Sequence, residues 1–330
     1  MPWRGPEHDG EFATLGWAVG EWIETHCVVP DGEHGGAPYK LTDEMWRFLA
    51  FHYRLRLEAE VGQLSTAFHY RRSILVRPQK WGKGPLTAAI ICAESLGPVL
   101  FDGWDANGEP VGRPQSTPRV QIAATTDDQT DNVYKHLLPM IQRGPLADEI
   151  PDAGVTRINL PNGGWVEPVT SKATSRLGQP ITLAIQDETG LWLKTNGGHA
   201  LARTQRRGLA GMSGRSIETT TAWIPAEMSV AQMGWESKVA DIYKDYRMPP
   251  AHLSYRNKAE RRRIHKHVYG DSWWVDLDAI EAEAAEILET DPADAERFFG
   301  NRVVAGSDAW LPTGLWEGAY AGHVVAAQPA

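Results

Sequence analysis

Cysteine is nearly missing: the 330-residue chain has two, Cys27 and Cys92, with no CxxC pair and no Cys/His cluster. That argues against a structural zinc site, and the two thiols read as reduced core residues of a reducing compartment. Also missing is any run of roughly eighteen or more apolar residues, the length a transmembrane helix requires. The first residues, MPWRGPEHDGEF, are charged and carry Gly and Pro, so they do not read as a signal peptide. The expectation is a soluble, intracellular chain with no membrane partner. Positive charge is in deficit, 33 Lys and Arg against 42 Asp and Glu, for a net charge of −9. Such a balance argues against a protein coated in nucleic acid and leaves room only for a local basic face. No internal repeat is apparent.

A hydrophobic content of 42% supports a real core, and the length exceeds what one core usually serves, so a large domain with an appended subdomain is expected. The informative stretch is Arg72 to Leu96. Ser73 to Val76 form an apolar run suited to a buried strand, and Pro85 to Leu96 return to a helical pattern rich in Ala, Ile and Leu. Between them, RPQKWGKG aligns its Gly82-Lys83 pair with the phosphate-binding pattern G-x-x-x-x-G-K-[ST]. A glycine before a helix start lets backbone N–H groups turn inward, where the helix N-terminus adds partial positive charge. Lys83 would add a full charge near the β- and γ-phosphates, and Pro85 suits a first helical turn. The candidate nucleotide-binding set is Arg77, Pro78, Gln79, Lys80, Trp81, Gly82, Lys83, Gly84 and Pro85. Both ends depart from the pattern: Arg77 replaces the first glycine, and Gly84 replaces the hydroxyl residue that would hold Mg²⁺. Taken alone, the loop reads equally well as a surface turn.

A second element weighs against that reading. Leu183 to Glu188, LAIQDE, sets two carboxylates at the C-terminal end of an apolar strand, where open α/β sheets bind ligands. In a nucleotide site Asp187 would hold Mg²⁺ and Glu188 would orient and deprotonate the attacking water. The competing reading is a pair capping the next helix. Arg176, in the small-residue segment TSRLG, is either a solvated arginine or an arginine finger reaching a neighbouring subunit. Thr219, Thr220 and Thr221 end a strand and could sense the γ-phosphate, or be ordinary β-branched strand residues.

Along the chain, a helix is expected over Glu11 to Val28, then a turn-rich break, then a helix capped by Thr42. Strands are expected at Pro98 to Asp102, Arg119 to Ala124, Ile181 to Gln186 and Arg215 to Ala222, with Gly103 to Pro118 as a loop. A helix over Gln129 to Leu138 is expected to kink or end at Pro139. Pro161-Asn162-Gly163-Gly164 signals a hairpin between Val155 to Leu160 and Trp165 to Val169. Ser229 to Tyr246 and Lys258 to His267 read as polar helices, followed by helices over Leu277 to Leu288 and Pro292 to Phe299. Strands alternating with helices indicate an α/β sheet covered on both faces.

The ordered segments PQKWGKG, RVQIAATTDDQ, TSRLGQPITLAIQDETGLW and SIETTTAW resemble the ATPase part of tailed-bacteriophage terminase large subunits, from about Tyr39 to Trp316. The resemblance implies a P-loop NTPase of the ASCE type, with a mainly parallel sheet flanked by helices and a small helix-rich C-terminal lid. It divides the chain into an N-terminal extension (1–38), an ATPase core (39–223), a helical lid (224–305) and a linker (306–330) toward a nuclease domain not contained here. The implied function is an ATP-hydrolysing, Mg²⁺-dependent motor that moves double-stranded DNA into a procapsid. Its implied partners are copies of itself in a ring, a portal protein and a terminase small subunit, in the host-cell cytoplasm. By position the resemblance makes Lys83 the phosphate-loop lysine, Asp187 and Glu188 the acidic pair, Arg176 the trans-acting finger, and Thr219 to Thr221 the coupling motif.

Gly84 leaves Asp187, water or Thr87 to compensate for the absent hydroxyl. Met45 stands near the family's adenine-reading glutamine, so weak base selectivity is expected. Two basic clusters, Arg203, Arg206 and Arg207, and the run containing Arg261, Arg262 and Arg263, are candidate DNA-backbone contacts or solvated helix faces. The alternatives are another translocating or helicase-like P-loop ATPase and a non-hydrolysing, nucleotide-gated assembly module.

Overall fold

A computed structural model describes residues 3–125, 127–170 and 179–305. In chain order the elements are α1 (Gly16–His26), α2 (Asp43–His52), β1 (Arg72–Val76), α3 (Lys83–Leu96), β2 (Leu100–Trp104), β3 (Pro110–Arg113) and β4 (Arg119–Ala124). Next come α4 (Asp127–Gln142), α5 (Leu146–Glu149), β5 (Ile158–Asn159), β6 (Trp165–Thr170), β7 (Leu183–Gln186), α6 (Gly198–Met212) and β8 (Arg215–Thr220). The last are α7 (Val230–Glu236), β9 (Ile242–Tyr246), α8 (Lys258–Tyr269), α9 (Leu277–Thr290) and α10 (Pro292–Phe298).

Seven strands form one sheet in the order β5-β6-β4-β7-β8-β1-β9. Every pairing is parallel except β5 with β6, the hairpin that the Pro-Asn-Gly-Gly signal indicated. The sheet is covered on both faces, which is why its strands read as continuous apolar runs. On β1, Leu75 joins the main core with Ile90 and Ile91 of α3, while Ile74 and Val76 face Trp223 and Ala231 on the other side. One strand, β8, separates β1 from β7, so the chain has the expected α/β P-loop architecture.

Four elements differ from the sequence expectation. Residues 242–246, expected within a helix, form β9 and pair in parallel with β1. Their charges conceal a strand because both are consumed internally: Asp245 accepts from Arg77, and Lys244 donates to the carbonyls of Trp235 and Ser237. Residues 100–113, read as a strand and a loop, form the separate β2–β3 hairpin. The Asp105 side chain closes its turn by accepting from the N–H groups of Asn107 and Glu109. Helix α4 runs through Pro139 to Gln142, and Arg143 N–H still bonds the Pro139 carbonyl, so the proline neither ends the helix nor its last turn. Helix α1 begins at Gly16, not Glu11. The Thr42 cap is present, its hydroxyl accepting from Met45 N–H. Cys27 and Cys92 are buried free thiols.

Candidate functional site

The loop from β1 to α3 is set by what its outward groups bond. Arg77 N–H donates to Thr220 O and Gln79 N–H to Phe298 O. Tyr269 Oη donates to Gln79 O at 2.8 Å, and Ser272 Oγ to Trp81 O at 3.2 Å. The loop's backbone is thus held from outside by β8 and by the C-terminal helices. Lys80 and Gly82 both lie in the left-handed region, at φ 67° and 107°. Gly82 is required twice over, since a Cβ there would also stand 2.8 Å from Trp274 Cζ2. Gly82 caps α3 without a side-chain bond, leaving the N–H groups of the first turn to a ligand.

Lys83 opens α3, and its Nζ donates to the carbonyls of Arg77 and Pro78 at 3.0 and 3.1 Å and lies 3.5 Å from Glu188 Oε1. Asp187 directly follows β7, two strands from β1. Its Oδ1 accepts from Thr219 Oγ1 at 2.6 Å, and its carbonyl accepts from the buried Trp192 indole at 2.8 Å. Burial first, then the neighbouring Glu188 charge, push the Asp187 carboxyl up to about 6, against the opposing pull of Thr219 and Lys83. Glu188 is left-handed at φ 51°, and its Oε2 accepts from Thr221 N–H at 3.3 Å. Gly190 N–H bonds Thr220 Oγ1 at 2.9 Å. All three threonines of β8 and its end are therefore tied to the acidic turn through a side chain or a backbone group.

One cavity of about 740 Å³ is lined by Lys80, Gly82, Lys83, Gly84, Asp187 and Glu188 among others, whereas the three threonines stand behind the acidic pair and do not line it. Lys135 and His136 of α4 line it too, with Asp31 3.4 Å from His136. Sequence reasoning missed these three, because nothing local in α4 or the Asp31 turn signals proximity to a loop some fifty residues away. It also missed Trp192, Tyr269 and Ser272, which act by fixing backbone. Among the described residues no cluster of three or more His, Cys, Asp or Glu side chains could hold a metal. A single carboxylate, Asp187, still fits Mg²⁺, which takes one or two carboxylates and completes its shell with phosphates and water.

Several sequence assignments are corrected. The Arg77 guanidinium turns away from the cavity: it bonds Glu44 Oε2 at 3.2 Å and Asp245 Oδ1 at 2.8 Å and lies 5.0 Å over the Trp81 ring. Trp81 itself is fully buried, so neither side chain is a nucleotide contact. Thr87 cannot replace the missing hydroxyl, because its Oγ1 is buried and donates to Lys83 O. Arg261 is buried and bidentate to Glu281, hence unavailable to a DNA backbone. Arg206 lies 3.5 Å from the buried Glu218, whereas Arg203, Arg207, Arg262 and Arg263 are exposed, Arg262 pairing with Asp278. Arg176 lies outside the described residues.

The arrangement defines a class, an α/β fold of the P-loop type with a Gly-Lys loop and an acidic pair at the C-terminal edge of the sheet. Among solved structures, the HK97 bacteriophage large terminase is similar, with a TM-score of 0.63 and 19% identity over 88% of this chain and 55% of that one. The resemblance read from the sequence is thereby shown at the level of fold. The chain is 29% identical to the Gene 13 protein of Mycobacterium phage L5 and 27% identical to the Gene 13 protein of Mycobacterium phage D29, each over 93% of this chain. It spans 59% and 58% of their lengths. No family model matches.

Proposed function

We propose that this chain is the ATP-hydrolysing motor portion of a phage terminase large subunit, which draws double-stranded DNA into a procapsid. The carrying observation is the convergence of Lys83, Asp187 and Glu188 on one cavity at the α3 N-terminus, with Lys83 Nζ 3.5 Å from Glu188. Lys83 and the first N–H groups of α3 bind the phosphates of ATP. Asp187 would hold Mg²⁺, which would supply charge neutralisation to the bound phosphates. On nucleotide binding Lys83 exchanges its contact with Glu188 for phosphate, and the carboxylate so released orients water and takes its proton. Thr221 N–H, bonded to Glu188, and Thr219, bonded to Asp187, carry the change into β8. Arg176 is assigned as a finger acting on a neighbouring subunit's nucleotide in a ring. Arg203, Arg207, Arg262 and Arg263 are assigned to duplex phosphates, and a portal protein and a small subunit are the further partners. The reading places the chain in the host-cell cytoplasm.

Site-directed variants test it. Lys83→Ala should abolish hydrolysis and weaken ATP binding, whereas Lys80→Ala, whose residue only lines the cavity, should do less. Equal turnover by Lys83→Ala and the parent chain would sink the assignment.

A further inference from the structure

Beside the phosphate cavity lies a second, of about 710 Å³, which shares Asp31, Gly82, Pro85, Trp274, Val275 and Asp276 with it. Its remaining wall comes from the turn-rich segment at 29–40 and from Trp273. Trp274, in the turn between α8 and α9, stands at the seam: its ring edge meets Gly82 and its side chain keeps 37% of its surface exposed. Because Trp274 also lines the phosphate cavity, a nucleoside triphosphate seated on the first turn of α3 can reach this seam.

We infer that Trp274 is the stacking face for the base of the bound nucleoside triphosphate, so that the C-terminal helices close the site over its nucleoside end. This rests on the nucleotide reading above and adds to it a residue that binds the base without selecting among bases. Met45 is 1% exposed and packed beneath Gly82. Several polar side chains around the second cavity already have partners: Tyr39 Oη donates to Met45 Sδ, Lys40 Nζ to Glu24 at 2.8 Å, and Asp276 caps α9 through Asp278 N–H and Ala279 N–H; the exposed Glu33 and His34 line it too, His34 against the Trp273 ring. Asp31 faces His136. Trp274 offers a base an aromatic face, and stacking accepts any base because each has a π-face.

The test is calorimetric binding of ATP and of inorganic tripolyphosphate, which has no base, to the full chain and to Trp274→Ala and Trp274→Phe. Stacking on one aromatic residue predicts ATP binding weaker by about 5- to 100-fold in Trp274→Ala. Tripolyphosphate binding should be unchanged in that variant, which also shows that the loop is intact, and Trp274→Phe should keep most of the ATP affinity. The inference is overturned if Trp274→Ala weakens neither ligand, or weakens both equally. It also falls if the parent chain binds ATP no better than tripolyphosphate. Binding of neither ligand by the parent chain would instead remove the nucleotide reading, and the inference with it.

Discussion

Replacing Arg77 by alanine leaves two carboxylates, Glu44 and Asp245, buried without the guanidinium that answers both. Burial already holds the Glu44 carboxyl above its usual value, despite Arg77 and Arg247. Removing one partner of a buried pair costs about 3–5 kcal/mol, so urea unfolding of Arg77→Ala should show a loss of that order. A loss below about 1 kcal/mol would mean that Arg77 is not structural. Asp187 gives a pH prediction. Its folded value of about 6 lies above the ordinary carboxylate value, so the native chain holds this proton more tightly than the unfolded one. That contribution to stability is present at low pH and lost as pH rises through about 6; a metal site needs the opposite, charged form. The Mg²⁺ concentration for half-maximal hydrolysis should be flat above about pH 7 and rise up to tenfold per unit below about pH 6. A flat profile down to about pH 5 would remove Asp187 from the metal. Lys83, Asp187 and Glu188 were legible in the sequence because each belongs to a local pattern of loop, strand and helix. The role of Arg77 was not, since its partners lie 33 and 168 positions away and the register of β9 brings one of them in.

At the scale of elements, β1, α3, β4, β7 and β8 were readable between turn signals, and the loop between β1 and α3 and the turn after β7 carry Lys83, Asp187 and Glu188, whereas the share of α4 and Asp31 in the cavity wall was not. The strand β9 was not, because its alternation is interrupted by Lys244 and Asp245, charges whose partners are on other elements. The clamp of the phosphate loop by Tyr269, Ser272 and Phe298 is equally invisible locally, for it consists of bonds to backbone carbonyls. Helix α6 shows how position on a face separates like residues. Leu201, Ala202, Gln205 and Leu209 are buried, Arg206 leans on Glu218, and Arg203 and Arg207 point to solvent. Neutralising Arg203 and Arg207 together should weaken duplex binding to a similar extent for all sequences and lower the slope of log affinity against log salt by about 2. An unchanged slope would return α6 to a solvated face.

At the scale of the whole molecule, the sheet order places β8 between the phosphate strand and the acidic strand, and its threonines touch Asp187 and Glu188 directly or through the backbone. Under the proposed function, a change at the acidic pair is passed to β8 through these bonds. On the proposed reading, Arg262 and Arg263 share α8 with Tyr269, which bonds the phosphate loop, so that helix is a direct route between duplex phosphates and the site. The assignment of Arg176 to a neighbouring subunit adds that turnover per molecule should rise with protein concentration. All of this depends on Glu188 acting as the base. The most direct measurement is single-turnover ATP hydrolysis with duplex DNA, comparing the parent chain with Glu188→Gln at matched ATP occupancy. An amide cannot take the proton of the attacking water, so Glu188→Gln should bind ATP as the parent does and hydrolyse it about 10²- to 10⁴-fold more slowly. Hydrolysis by Glu188→Gln at the parent rate would contradict the account.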